Sequence, residues 1–205
     1  MERSFEIMPD NSVFLRGVLP EPPEFSHENH GRRFERMTLW VRRLSGTFDQ
    51  INVIAQEGLL GHLDPSAGPM VEVTGQIRSY NNRTGVGRKL LVSVFAQSVS
   101  YDWGEPENRV SLRGQICRDP IYRHTPLGRE ITDIMLSVPR PYGRRDYIPC
   151  ILWGSVARMV SNMNRGDTLS LEGRLQSRLY TKQTEDGPEE RTAYEVSAIT
   201  AQKET

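Results

Sequence analysis

The chain has 205 residues and a formal net charge of zero, 26 basic against 26 acidic, which by itself argues against a strongly basic protein that holds polyanions through charge alone. Its length suits one substantial core or two of about 100 residues each. No apolar run approaches the roughly 18 residues that span a bilayer, and "MERSFEIMPD" has no apolar stretch that could serve as a signal peptide, so the expectation is a cytoplasmic protein with no membrane association.

In chain order, the first phrase of note is "NSVFLRG" (11–17). "PEPPEFS" then reads as loop, and the "HENH" that follows (27–30) lacks a third ligand or a Glu base at metalloprotease spacing, so it reads as a turn rather than a metal site. "MTLWVRR" contains Trp40, which fits either a core position or an exposed one. "EGLLGHLDPSAGP" (57–69) carries three Gly and two Pro, which leaves room for at most one turn of helix before Pro65. "VEVTGQI" (71–77) follows, then "TGVGR" (84–88), which opens no helix and reads as a hairpin tip rather than a phosphate loop. "SYDWGEPEN" (100–108), with Gly, Pro and acidic residues, reads as a joint.

After that joint the chain repeats itself. "NRVSLRG" (108–114) matches "NSVFLRG" at Asn, Val, Leu, Arg and Gly, an offset of 97 residues. In the same register Asp49 and Ile51 of "DQINVIA" meet Asp146 and Ile148 of "DYIPCIL", and with one residue of slippage "VEVTGQI" meets "LSLEGRL" (169–175). A period near 100 residues implies tandem domains, because solenoid repeats are far shorter. The boundaries expected are 1–103 and 104–205.

Each domain reads as mostly β. In the second, Val110, Leu112 and Ile116 alternate with polar residues, as do Ile134, Leu136 and Val138, and then Leu169, Leu171 and Leu175. "SVARMVSNMNRG" places Val156, Met159, Val160 and Met163 at helical spacing, with Ser155 as N-cap and Gly166 as stop. Five short strands with one helix between the third and fourth is the layout of the OB-fold, a small Greek-key barrel. The fold class expected is all-β, two tandem OB-folds, the first without the helix. Pro149, inside the third strand, gives up a ladder donor and belongs at an edge, a bulge or a break in pairing.

Cys117 and Cys150 lack CxxC spacing and a neighbouring His, and read as small core residues. No Ser or Cys sits in a nucleophile-elbow setting, so no catalytic residue and no cofactor is expected. The cations are unevenly chosen, Arg at 23 of 26 positions. Base composition of the genome explains this as readily as the bidentate grip of Arg on phosphate.

The motifs "NRVSLRGQICRDP", "TPLGREITDIMLSV", "DYIPCILWGSVARMV" and "RGDTLSLEGRLQSRLYT", in this order and spacing, make the second repeat resemble the bacterial single-stranded DNA-binding protein family over nearly its whole length. The first repeat resembles it only faintly, through "NSVFLRG" and "VEVTGQI". The resemblance implies that aromatic side chains on an open barrel face stack on DNA bases, at Tyr142 in the long loop after the second strand, Tyr147 and Trp153 at the two ends of the third, and Tyr180 after "LQSR". The residues themselves fit that role. Tyr147, Ile151 and Trp153 share one strand face, with the two rings roughly 20 Å apart at about 3.3 Å per residue, and Arg174, Gln176, Arg178 and Tyr180 share the open face of the fourth strand. Arg140, Arg144 and Arg145 flank Tyr142 in "RPYGRRD", and Arg123 completes the candidate set of phosphate contacts. The first repeat reads Ser45, Gln50, Gln56 and Asn82 at the four ring positions, with Trp40, Phe48 and Tyr80 nearby and Arg32, Arg33, Arg36, Arg42 and Arg43 left to track phosphates.

The resemblance further implies sequence-independent binding of single-stranded DNA in replication, recombination or repair near the nucleoid, and a homodimer that presents four OB-folds. Family members continue into a flexible segment with an acidic tip that recruits replication and repair enzymes, whereas this chain stops at "YEVSAITAQKET", so recruitment of that kind is not expected. The competing expectation is an adaptor resembling primosomal replication protein N, working through replication or primosome proteins rather than DNA.

Overall fold

The computed structural model describes residues 10–68, 70–82, 90–184 and 187–204. The first half contributes β1 (Asn11–Gly17), β2 (Glu24–Asn29), β3 (Arg32–Arg42), β4 (Phe48–Gln56), β5 (Met70–Asn81) and β6 (Leu90–Asp102). The second contributes β7 (Glu107–Ile116), β8 (Ile121–His124), β9 (Glu130–Pro139), β10 (Arg145–Trp153), α1 (Gly154–Ser161), β11 (Thr168–Thr184) and β12 (Gly187–Lys203). All twelve strands join one sheet in the order β2-β3-β4-β6-β5-β1-β7-β11-β12-β10-β9-β8. The order is a palindrome in which each strand of one half mirrors its repeat in the other. Its centre is the antiparallel β1–β7 pair, where Val13 lies opposite Val110, its own equivalent, so a pseudo-twofold axis passes between them.

The repeated phrase is explained at this level. Asn11 donates its amide to Ile77 O and accepts from Ile77 N, both at 2.8 Å, and Asn108 does the same to Leu175 O and N at 2.8 and 2.9 Å. Each side chain, buried at Asn11 and half-buried at Asn108, thus stands in for a peptide group opposite the neighbouring strand. Val13, Leu15, Val110 and Leu112 point inward and are buried, each such side chain contributing on the order of 1.5–3 kcal/mol. The closing glycines let a barrel shut. A Cβ on Gly17 would lie 2.5 Å from Trp40 O, and one on Gly114 2.5 Å from Ser137 O. At those points Val18 bridges Trp40 and Gln115 pairs with Ser137. Gly75 and Gly173 make the same close approach at matching bulges of β5 and β11. Both halves are OB-folds.

Three details depart from the sequence reading. β2 and β8 add a short strand to each barrel, beyond the five expected. α1 begins at Gly154 with Trp153 in the cap position and no side-chain cap. The positive φ of Gly154, 57°, turns the chain directly from β10 into the helix, which places Ser155 inside the first turn. The helix ends at Asn162, ahead of Gly166. Ala157 and Val160 are buried against the barrel, and Thr132 Oγ1 donates to Ala157 O at 2.8 Å. In the first half only a short 3-10 turn, Pro65–Ala67, takes the place of α1. Pro149 lies one residue before the parallel β10–β12 pairing begins at Cys150, at a break in the ladder. Cys150 is buried and Cys117 half-buried. "HENH" runs from the end of β2 into its turn with β3, and "TGVGR" lies outside the described residues. Among the described residues no helix is long and apolar enough to cross a membrane.

Candidate nucleic-acid interface

The strand β10 alternates between core and surface, which sends Ile148, Cys150 and Leu152 inward and leaves Tyr147 and Trp153 at the two ends of the outer face. Tyr147 is 45% exposed. Trp153 is half-buried, its Nε1 donating to Ser197 Oγ at 3.0 Å, and it lines a shallow groove with His124, Arg129, Glu130 and Arg158. Ile151, between the rings on the same face, is buried rather than open. Tyr142 is fully exposed and has a left-handed backbone, φ 62°, a conformation that costs a non-glycine residue on the order of 1 kcal/mol. The turn is closed by Arg140 N donating to Arg144 O at 2.8 Å. Tyr180 lies on the β11–β12 hairpin with the Arg178 guanidinium 5.9 Å from its ring centroid.

The arginines divide by what already holds them. Arg123 pairs with Asp133 at 2.6 Å. Arg145 donates to Ser137 Oγ and Gln115 Oε1. Arg144 and Arg178 are exposed. Arg140 turns inward to Asp146, at 3.3 Å. Arg174 faces the other half of the molecule, where burial and then the charge of Arg43 push its pKa down. Gln176, expected on the open face, is buried and donates to Glu195 Oε1 at 2.7 Å.

Arg140 and Arg174 belong to a pair of clamps that sequence reasoning did not find. Asp146 is fully buried, accepts from Ser79 N at 2.7 Å and faces both Arg140 and Arg78. Burial, then the neighbouring charge of Arg140, lowers the Arg78 pKa. Ser79 Oγ in turn accepts the Tyr147 N–H at 2.6 Å. Across the pseudo-axis, buried Asp49 accepts from Ser177 N at 2.8 Å and holds Arg43 through two hydrogen bonds. Those bonds raise the Arg43 pKa. Ser177 Oγ accepts the Gln50 N–H at 2.9 Å. Each half therefore reaches across to fix the start of the other's third barrel strand. The matched aspartates are visible as a repeat in the sequence, but nothing in either segment reveals a partner in the opposite half.

In the first half the positions equivalent to the four rings are Ser45, Gln50, Gln56 and Asn82. Of the arginines expected to track phosphate there, Arg33 pairs with Glu57, Arg36 with Glu24 and Arg43 with Asp49, while Arg32 and Arg42 are exposed. Trp40, Phe48 and Tyr80 are all partly exposed.

The family model described as the single-strand binding protein family matches residues 107–203. The second half of the chain is similar to that family along nearly all of its length. A single-stranded DNA-binding protein of Halalkalibacterium halodurans is 36% identical over 80 residues, 36% of this chain and 48% of that protein. One of Oceanobacillus iheyensis is 30% identical over 99 residues, 45% of this chain and 58% of that protein. This chain thus spans about half the length of the curated relatives it matches. The wild-type single-stranded DNA binding protein from Thermus aquaticus superposes with a TM-score of 0.77 at 24% identity, covering 95% of this chain and 93% of that one. The likeness in fold extends through both halves, although the matching family model covers residues 107–203 alone.

Proposed function

We propose that the chain binds single-stranded DNA without sequence preference, through the single-strand binding half, in replication, recombination or repair. The observation that carries this reading is the set of four aromatic side chains, Tyr142, Tyr147, Trp153 and Tyr180, at the positions where the family resemblance puts stacking rings, with Arg144 and Arg178 exposed beside them. Rings accept any base because every base has a π-face, and guanidinium groups accept phosphate regardless of sequence. Residues 1–103 and 104–205 form two domains in this reading, the first supplying fold and interface.

A homodimer with four OB-folds fits the open outer face of the central strands. There Phe14 lies between the guanidinium groups of Arg16 and Arg109, at 5.2 and 4.9 Å, and Ile199 is 72% exposed. Sedimentation equilibrium of the intact chain tests the dimer, and a monomer would end that part of the proposal.

Binding is tested by fluorescence titration with a long thymidine oligonucleotide, with duplex, and with Trp153→Phe, at two salt concentrations. The expected result is quenching by the single strand alone, weaker in the variant and in high salt. Absence of binding would leave an OB-fold adaptor that acts on proteins.

A further inference from the structure

The rings missing from β4 stand one strand away. Gln50 and Gln56 occupy the places of Tyr147 and Trp153 at the offset of 97 residues. In the β3–β4 ladder, Gln50 lies opposite Trp40 and Gln56 opposite Phe34. Directly opposed residues of an antiparallel pair carry their Cβ atoms on the same face, about 4.5–5.5 Å apart. In the second half the same two rungs hold Tyr147 opposite Ser137 and Trp153 opposite Ile131. On both rungs the ring has crossed to the partner strand, and the polar or aliphatic residue has crossed back.

Separation along the strand is kept as well. Phe34 and Trp40 are six residues apart, as are Tyr147 and Trp153, so either pair spans roughly 20 Å. Each relocated ring has an aromatic neighbour. Trp40 lies 5.9 Å from Phe48, tilted by 49°, and Phe34 stacks on His27 at 4.8 Å, inclined 11°. Trp40 is 37% exposed and Phe48 45%, whereas Met37, Leu39 and Val41, the inward residues of the same strand, are at 4% or less. Trp40 is therefore not a core residue. Its backbone is fixed by two 2.9 Å hydrogen bonds with Val18. Arg42, exposed, extends the same face.

We propose that the first domain carries a second stacking site for the bases of single-stranded nucleic acid, with stations at Trp40–Phe48 and Phe34–His27. The site rests on the reading that the second domain binds single-stranded DNA, and it would extend the path of the strand onto the first domain. The absence of rings at Gln50 and Gln56 is then a change of strand rather than a loss of function.

The test uses the intact chain and two thymidine oligonucleotides, one of about 12 nucleotides, within reach of one OB-fold, and one of about 30, long enough for two. The variant W40A/F48A should bind the longer oligonucleotide about tenfold or more weakly and the shorter one as the parent does. In a W103F/W153F background, where Trp40 is the remaining tryptophan, the longer oligonucleotide should quench its emission. This second readout decides the matter if W40A/F48A folds poorly. Unchanged affinity for both oligonucleotides together with unquenched Trp40 would overturn the inference, and the second domain's reading would stand if W153A still lost binding. If W153A and W40A/F48A both bind as the parent does, the two readings fail together.

Discussion

The two halves share a skeleton and differ in what they place on it. Both close with a glycine against a carbonyl, both use an asparagine side chain to splice two strands, and both send an aspartate across the pseudo-axis. Among the described residues, the second half alone has an α-helix, and it carries Tyr147 and Trp153 where the first half has Gln50 and Gln56. Residues that build the barrel and the interface are thus held by geometry, while those on the outer faces were free to move.

The largest effect on this comparison should come from the clamps. Asp146→Ala leaves Arg78 and Arg140 half-buried without their counter-ion, and Asp49→Ala does the same to Arg43. Either change should cost about 3–5 kcal/mol in urea unfolding, and a large difference between the two would break the pseudo-symmetry argued here. Next come the rings. Trp153→Ala should weaken single-stranded DNA binding by about 1–3 kcal/mol in titration, with stability falling less than for the aspartates.

Ser79→Ala and Ser177→Ala sharpen the contrast further. Each removes a hydroxyl that accepts a backbone N–H from the opposite half, so both should cost about 1 kcal/mol of stability. The N–H concerned belongs to Tyr147 in one case and to Gln50 in the other, so DNA affinity should fall more for Ser79→Ala, and Ser79→Thr should restore it. Arg144→Ala should change the slope of log affinity against log salt by about 0.7, the contribution of one phosphate contact on a single strand.

The effect absent at neutral pH is alkaline. Burial pushes the Tyr194 phenol up to about 12, above the ordinary value near 10. The folded state then holds this proton more tightly than the unfolded chain, so stability is unaffected below pH 10 and falls between pH 10 and 12. Tyr194→Phe should flatten that part of the denaturation profile.

Much of the scaffold was legible in the sequence, because alternation of apolar residues reports burial directly and the repeated phrase reports a duplicated fold. The family resemblance names four aromatic positions in the second half, of which Tyr147 lies near the start of β10 and Trp153 at its end. Register was not legible. That Trp40 stands opposite Gln50 depends on how β3 slides against β4, which the composition of neither strand reveals. Charge partners were hidden for a similar reason. Arg140 and Arg174 read as exposed cations, until folding turns Arg140 inward onto buried Asp146, six residues along, and sets Arg174 beside Arg43 of the opposite half.

The ladder between β1 and β7 has a consequence for how the protein is made. β1 leaves the ribosome before β7, which follows some 90 residues later, on the order of ten seconds at about 5–20 residues per second. Through that interval one edge of β1 has no partner, and an unpaired edge is a template for any other strand. Among chains translated from one message, the nearest such edge belongs to a sister chain. The pairing that ties the halves together is therefore also where nascent chains are most exposed to exchanging them, and slower synthesis of the joint between β6 and β7 would lengthen that exposure.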